Sequence, residues 1–193
     1  MNYLAHTFLS FGQEYLLIGN FITDFINAKQ ARVLHDQYKE GVELHRKIDR
    51  FTDSHDMFSS GRRRLAKHHG KYAPVVLDIL YDHLLAKNWK RYATQSIEEH
   101  AEQTYSYFEK HADVFVENNF IHLPKMINHN FLESYVHEDK VRYVLQQMDK
   151  RAKFESDFTS AMDHLLEEYT AYENEFNLFF PDIIKMVKTA IKI

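Results

Sequence analysis

Cysteine is absent from this chain of 193 residues, so disulfides, thiolate metal ligands and cysteine nucleophiles are all excluded, and a reducing, cytoplasmic setting is the natural reading. Glycine (5) and proline (3) are scarce, and no glycine follows Gly70. That scarcity excludes a turn-rich all-β fold and any glycine-rich phosphate cradle. Long apolar runs are also missing. The longest stretch without a formal charge, Met1 to Gln13, falls well short of the ~20 apolar residues a membrane span needs and lacks the basic start of a signal peptide, so a soluble, unexported protein is expected. An excess of positive charge is absent too: 24 Lys and Arg stand against 28 Asp and Glu, a balance of −4 that argues against generic nucleic-acid binding. What is present, 45% hydrophobic and 27% charged residues, matches an ordinary globular domain able to bury its own core.

Helical periodicity dominates. Phe158, Met162, Leu165, Tyr169, Tyr172, Phe176 and Phe179 recur at alternating steps of four and three, which predicts an amphipathic helix packed on the core. Pro181 is expected to stop it and to open a short last helix through Ile184, Val187 and Ile191. Ser96 and Glu99 fit a capping box, so a helix is expected from there to about Val116. Another begins at Pro74 and runs through Val76, Leu77, Leu80 and Leu84. Further helices are expected near 14–28, 38–53, 59–69, 125–135 and 138–151. No segment alternates with period two, and no linker or repeat interrupts the chain. The expectation is one all-α domain, residues 1–193, of about eight helices.

Four early segments place His and Asp beside large apolar residues: Asn2 to His6, Gly19 to Phe25, His45 to Asp49, and Asp78 to His83. Asp24 follows Leu17 and Phe21 by seven and three residues, which sets its carboxylate beside an apolar stripe where it needs a cation. His45 and Asp49 share one helix face, a spacing suited to two ligands of one metal, and Asp53 extends the row. Asp78 and Asp82 form a second such pair, with His83 about 100° further round. Taken singly, pairs of this kind arise on many helices, and Asp24 can equally be a structural partner of Arg46 or Lys47. The remaining histidines, among them His100, His111 and His164, read as solvated or core-capping. The one dense basic run, Arg62, Arg63, Arg64 and Lys67, reads either as a solvated helix face or as a dock for an acidic partner.

Taken together, N-Y-L-A-H, then G-N-F-I-T-D-F, then H-R-K-I-D-x-F-T-D from His45, then L-D-I-L-Y-D-H-L-L-A-K-N-W from Leu77, resemble the acyl carrier protein phosphodiesterase family in order and separation. The resemblance thins out towards F-x-x-F-F-P at Phe176 to Pro181 but covers nearly the whole chain. It implies an all-α, HD-phosphohydrolase-like core and a hydrolase of lipid metabolism, supplied with manganese or alternatively magnesium. The implied reaction removes the 4′-phosphopantetheine arm from the serine of holo acyl carrier protein. The family's essential aspartate matches Asp24, and its His/Asp motifs match His6, His45, Asp49, Asp78, Asp82 and His83. A strict His-Asp doublet is missing, since His45 and Asp49 are separated and Asp82-His83 has the reverse order.

On this reading His6, Asp24 and His45 are expected as metal ligands with Asp82 as a fourth, and Asp49 or Asp78 in support. Arg46 is expected to hold a phosphate oxygen and His83 to protonate the leaving serine oxygen. Arg62, Arg63, Arg64 and Lys67 are expected to steer the acidic carrier protein. Two rival readings stand beside it: a phosphohydrolase for a nucleotide or small phosphodiester, and a helical binding module whose His/Asp sets are structural ion pairs.

Overall fold

The structure, a computed structural model, describes residues 1–154 and 156–193. Among them there is no strand. The chain folds as α1 (Tyr3–Phe8), α2 (Glu14–Ile22), α3 (Ala28–Val33), α4 (Asp36–Ser54), α5 (Asp56–His69), α6 (Ala73–Lys87) and α7 (Trp89–Tyr92). These are followed by α8 (Ile97–Lys110), α9 (Ala112–Glu117), α10 (Leu123–Asn128), α11 (Glu138–Asp149), α12 (Ala161–Glu167) and α13 (Tyr169–Ile191). The all-α expectation holds, with more and shorter helices than the eight foreseen.

The differences have local causes. The helix expected over 14–28 ends at Ile22 because a 3-10 turn, Thr23–Phe25, and an extended Ile26 intervene before Asn27 caps α3 through the amides of Lys29 and Gln30. The Ser96 capping box is present, but its helix stops at Lys110, where His111 leaves helical geometry and gives its ring to Tyr38 and Glu14. The span 125–135 is broken by Asn130 at φ 48°. Pro181 does not stop the last helix and lies inside α13. Its missing hydrogen bond costs ~3 kcal/mol. Phe176, Phe179, Phe180, Ile183 and Val187 on either side are fully buried, each stabilising by ~1.5–3 kcal/mol, so packing carries the helix through.

Helix α6 is the central element: Leu77, Leu80, Tyr81, Leu84 and Leu85 are fully buried on several faces, the pattern of a helix surrounded by others. Helices α1, α5 and α13 pack around it. A second apolar group, Leu17, Phe21, Val42, Phe108 and Phe115, joins α2 to the start of α4 and to α8 and α9. The α2–α4 crossing is a backbone contact. A Cβ at Gly19 would meet the Tyr38 carbonyl oxygen at 2.0 Å, and one at Gly41 would meet the Leu16 carbonyl oxygen at 2.3 Å. Only glycine permits this approach, which sets Asn20 of α2 against His45 of α4.

Candidate metal centre

Two carboxylates of α6, the fully buried Asp82 and the partly exposed Asp78, hold α1 in place. Asp82 accepts from the amide of Leu4 (2.7 Å) and, more loosely, from those of Asn2 (3.3 Å) and Ala5 (3.4 Å). Burial pushes its carboxyl up to about 8, against the pull of the Met1 ammonium and these amides. Asp78 accepts from the Met1 ammonium at 2.7 Å, and burial raises its carboxyl as well. Thus anchored, α1 directs His6 towards α2 and α4.

There the imidazoles of His6 and His45 stack, centroids 4.2 Å apart and planes 15° from parallel. Asp49 closes the group: its Oδ1 lies 3.3 Å from His6 Nε2 and its Oδ2 3.0 Å from His45 Nε2. Asp24, on the 3-10 turn after α2, brings Oδ1 to 3.5 Å from His45 Nε2. Both imidazoles donate through Nδ1, His6 to Asn20 Oδ1 (2.8 Å) and His45 to the Asn20 carbonyl (2.9 Å), so the Nε2 atoms are left facing the carboxylates. The histidines are buried while Asp49 and Asp24 are 44% and 34% exposed at their side chains, so the group opens to solvent on its acidic side. Burial lowers the His45 pKa, but the hydrogen bond to Asp49 and the charges of Asp24 and Asp49 outweigh it, and the net shift is upward. Burial works against ionised Asp49, yet the bond to His45 and the charge of the adjacent His6 and His45 rings hold the carboxyl well below the usual carboxylate range.

This donor set fits a divalent cation. One ligand atom from each of His6, His45 and Asp49 lies within 4.8 Å of the others. His6 Nε2 is buried and has no hydrogen-bond partner among the described residues. A bare lone pair in that position, aimed at a carboxylate, is unfavourable unless a proton or a metal ion stands between them.

Several expected site residues have other partners. Asp82 anchors α1 in the interior and the partly exposed Asp78 holds the Met1 ammonium, while Asp49, foreseen in support, is in direct contact with both imidazoles. Asp24 pairs with His45 and not with Arg46 or Lys47. Arg46 is an exposed partner of Glu43. His83 donates from Nδ1 to the Tyr135 carbonyl at 2.6 Å, buried, with its pKa lowered chiefly by that burial. It therefore ties α6 to the 3-10 turn Glu133–Val136. Arg64 is spent on Glu168 and Glu175 (2.6 Å for the latter), leaving Arg63 and Lys67 of the basic run exposed and Arg62 half-buried. Asn20 was missed by sequence reasoning; its one signal was an amide set between Gly19 and Phe21 in an otherwise apolar helix.

A family model described as acyl carrier protein phosphodiesterase matches residues 1–183. Among curated proteins, the acyl carrier protein phosphodiesterase of Pectobacterium atrosepticum is 26% identical, with 98% of each chain covered. Those of Serratia proteamaculans and Photorhabdus laumondii are each 27% identical, covering 97% and 94% of this chain and 98% and 92% of their own. No solved structure matches the chain.

Proposed function

The chain belongs to the acyl carrier protein phosphodiesterase family, and we propose that it hydrolyses the phosphodiester joining 4′-phosphopantetheine to the serine of holo acyl carrier protein, in a divalent-metal-dependent reaction. The observation that carries this reading is the convergence of His6 Nε2, His45 Nε2 and the Asp49 carboxylate, with His6 Nε2 buried and unpartnered. These three groups would hold the ion, manganese or magnesium, with Asp24 at the open edge joining them. When bound, such an ion lowers the pKa of a coordinated water and neutralises phosphate oxygens.

The chain's own residues supply the rest. Asp24 and Asp49 face solvent at the mouth, where their negative charge favours the cation and sets a requirement for positive charge around an incoming phosphate. Arg46, one residue beyond His45 in α4, would have to leave Glu43 to serve as that cation. Arg62, Arg63 and Lys67 would guide an acidic carrier protein onto α5 in a salt-dependent way. Products in this scheme are free 4′-phosphopantetheine and apo carrier protein, with no covalent enzyme intermediate. No helix among the described residues is long and apolar enough to cross a membrane, and a cytoplasmic site of action agrees with the cysteine-free composition.

The test is incubation with holo acyl carrier protein and Mn²⁺, read by mass spectrometry. Loss of the prosthetic group is expected. An unaltered carrier protein, alongside rapid hydrolysis of a nucleotide or generic diester, would replace this substrate with a small phosphodiester.

A further inference from the structure

Asn20 is fully buried in α2 and touches both imidazoles of the centre. Its Nδ2 donates to the His6 carbonyl (2.9 Å) and to Ser10 Oγ (3.0 Å), and the Ser10 hydroxyl donates in turn to the same carbonyl (2.9 Å). A carbonyl can only accept, so the amide nitrogen of Asn20 must face it and Oδ1 must face the His6 ring. His6 Nδ1, at 2.8 Å from Oδ1, therefore carries the ring proton. The argument repeats for His45, whose Nδ1 lies 2.9 Å from the main-chain carbonyl of the same Asn20. Neither imidazole is free to present its other nitrogen.

We infer that Asn20 is the positioning residue of the centre: it locks His6 through its side chain and His45 through its backbone in the Nδ1–H tautomer, aiming both Nε2 lone pairs beside Asp49. Outer hydrogen bonds of this kind fix ring orientation and ligand basicity, and losing one typically weakens metal affinity about 10–100-fold. The two locks differ in kind. Side-chain replacement at position 20 releases His6 and leaves His45 held, since every residue type retains the carbonyl. The inference rests on His6, His45 and Asp49 being metal ligands.

The first measurement uses the metal-free wild-type protein at alkaline pH, where the imidazoles are neutral. Long-range ¹H–¹⁵N correlation spectra should show Nδ1–H for both His6 and His45, and an Nε2–H signal at either ring overturns the assignment even if no variant folds. The second is calorimetric titration of Mn²⁺ into wild type, Asn20→Leu and Asn20→Asp. Asn20→Leu is expected to bind about 10–100-fold more weakly and to lose the Nδ1–H signal of His6 alone; Asn20→Asp, which keeps an acceptor against Nδ1, should recover part of the affinity. A folded Asn20→Leu protein with wild-type affinity refutes the positioning role. Wild type that shows both Nδ1–H signals yet binds no Mn²⁺ overturns the ligand reading itself, a failure the spectra separate from the first.

Discussion

Gly41→Ala should damage the metal centre without touching any of its side chains. A Cβ at that position would lie 2.3 Å from the Leu16 carbonyl oxygen and 2.6 Å from the Asn20 amide nitrogen, both backbone atoms that cannot rotate away, whereas ordinary contact begins at 3.4 Å. Helices α2 and α4 would have to separate by about 1 Å to restore that contact distance. The same movement would stretch the bond from His45 Nδ1 to the Asn20 carbonyl, now 2.9 Å, to about 3.9 Å, well outside hydrogen-bonding range. Overpacking costs ~1–3 kcal/mol and the broken buried bond another ~1 kcal/mol, partly offset by ~1 kcal/mol of helix propensity gained on replacing glycine. A net loss of about 1–3 kcal/mol lowers Tm by roughly 2–12 °C in a chain of this size. Gly61→Ala is the control, because its Cβ would meet side-chain atoms of Leu77 at 3.1 Å and Glu175 at 3.3 Å, which can shift. It should cost less than about 1 kcal/mol. Thermal unfolding and Mn²⁺ titration of both variants decide the matter. If Gly41→Ala melts and binds metal as wild type does, the claim that this glycine contact aligns Asn20 with His45 is wrong.

Asp24→Ala should abolish turnover on holo carrier protein while leaving the far-ultraviolet circular dichroism of the helices intact, and a folded variant that remains active removes Asp24 from the mechanism. Reversing Arg62, Arg63 and Lys67 together to Glu should raise KM more than it lowers kcat, with the difference shrinking as salt rises; unchanged kinetics at low salt would dismiss this face as the docking surface. His100 is buried beside Thr7 and accepts a bond from Gln95, and burial pushes it down to about 4 from an ordinary value of 6.5. Between these values the unfolded chain binds the extra proton, so the stabilisation is complete above 6.5 and is lost as pH falls towards 4, by up to about 3 kcal/mol. Urea unfolding at neutral and mildly acidic pH should therefore show a steeper acid loss for wild type than for His100→Gln, and equal slopes would contradict this origin.

Much of the fold was legible because helical order is local. A repeat of 3.6 residues brings every third and fourth side chain to one face whatever lies elsewhere in the chain. That is why the Tyr172 to Phe179 part of the aromatic stripe, the Ser96 capping box and the pairing of His45 with Asp49 were readable in advance, whereas the single helix expected from Phe158 is divided among a 3-10 turn, α12 and α13. Pro181 misled because its local cost is visible in sequence, while the burial of Phe180 and Ile183 that outweighs it is not.

The site shows the same division more sharply. Asp49 and Asp82 look alike in local spacing, each an acid one turn from another titratable group on its helix. Packing alone separates them: α6 is covered on its faces and turns Asp82 to the amides of α1, whereas α4 keeps an open flank on which Asp49 meets His6. By itself the sequence determined the helical class, the family and the pool of histidines and carboxylates. Tertiary structure decided which of these meet, through a glycine contact between α2 and α4 and an anchor between α6 and α1, because convergence depends on which surfaces are buried against each other and local periodicity carries no record of that.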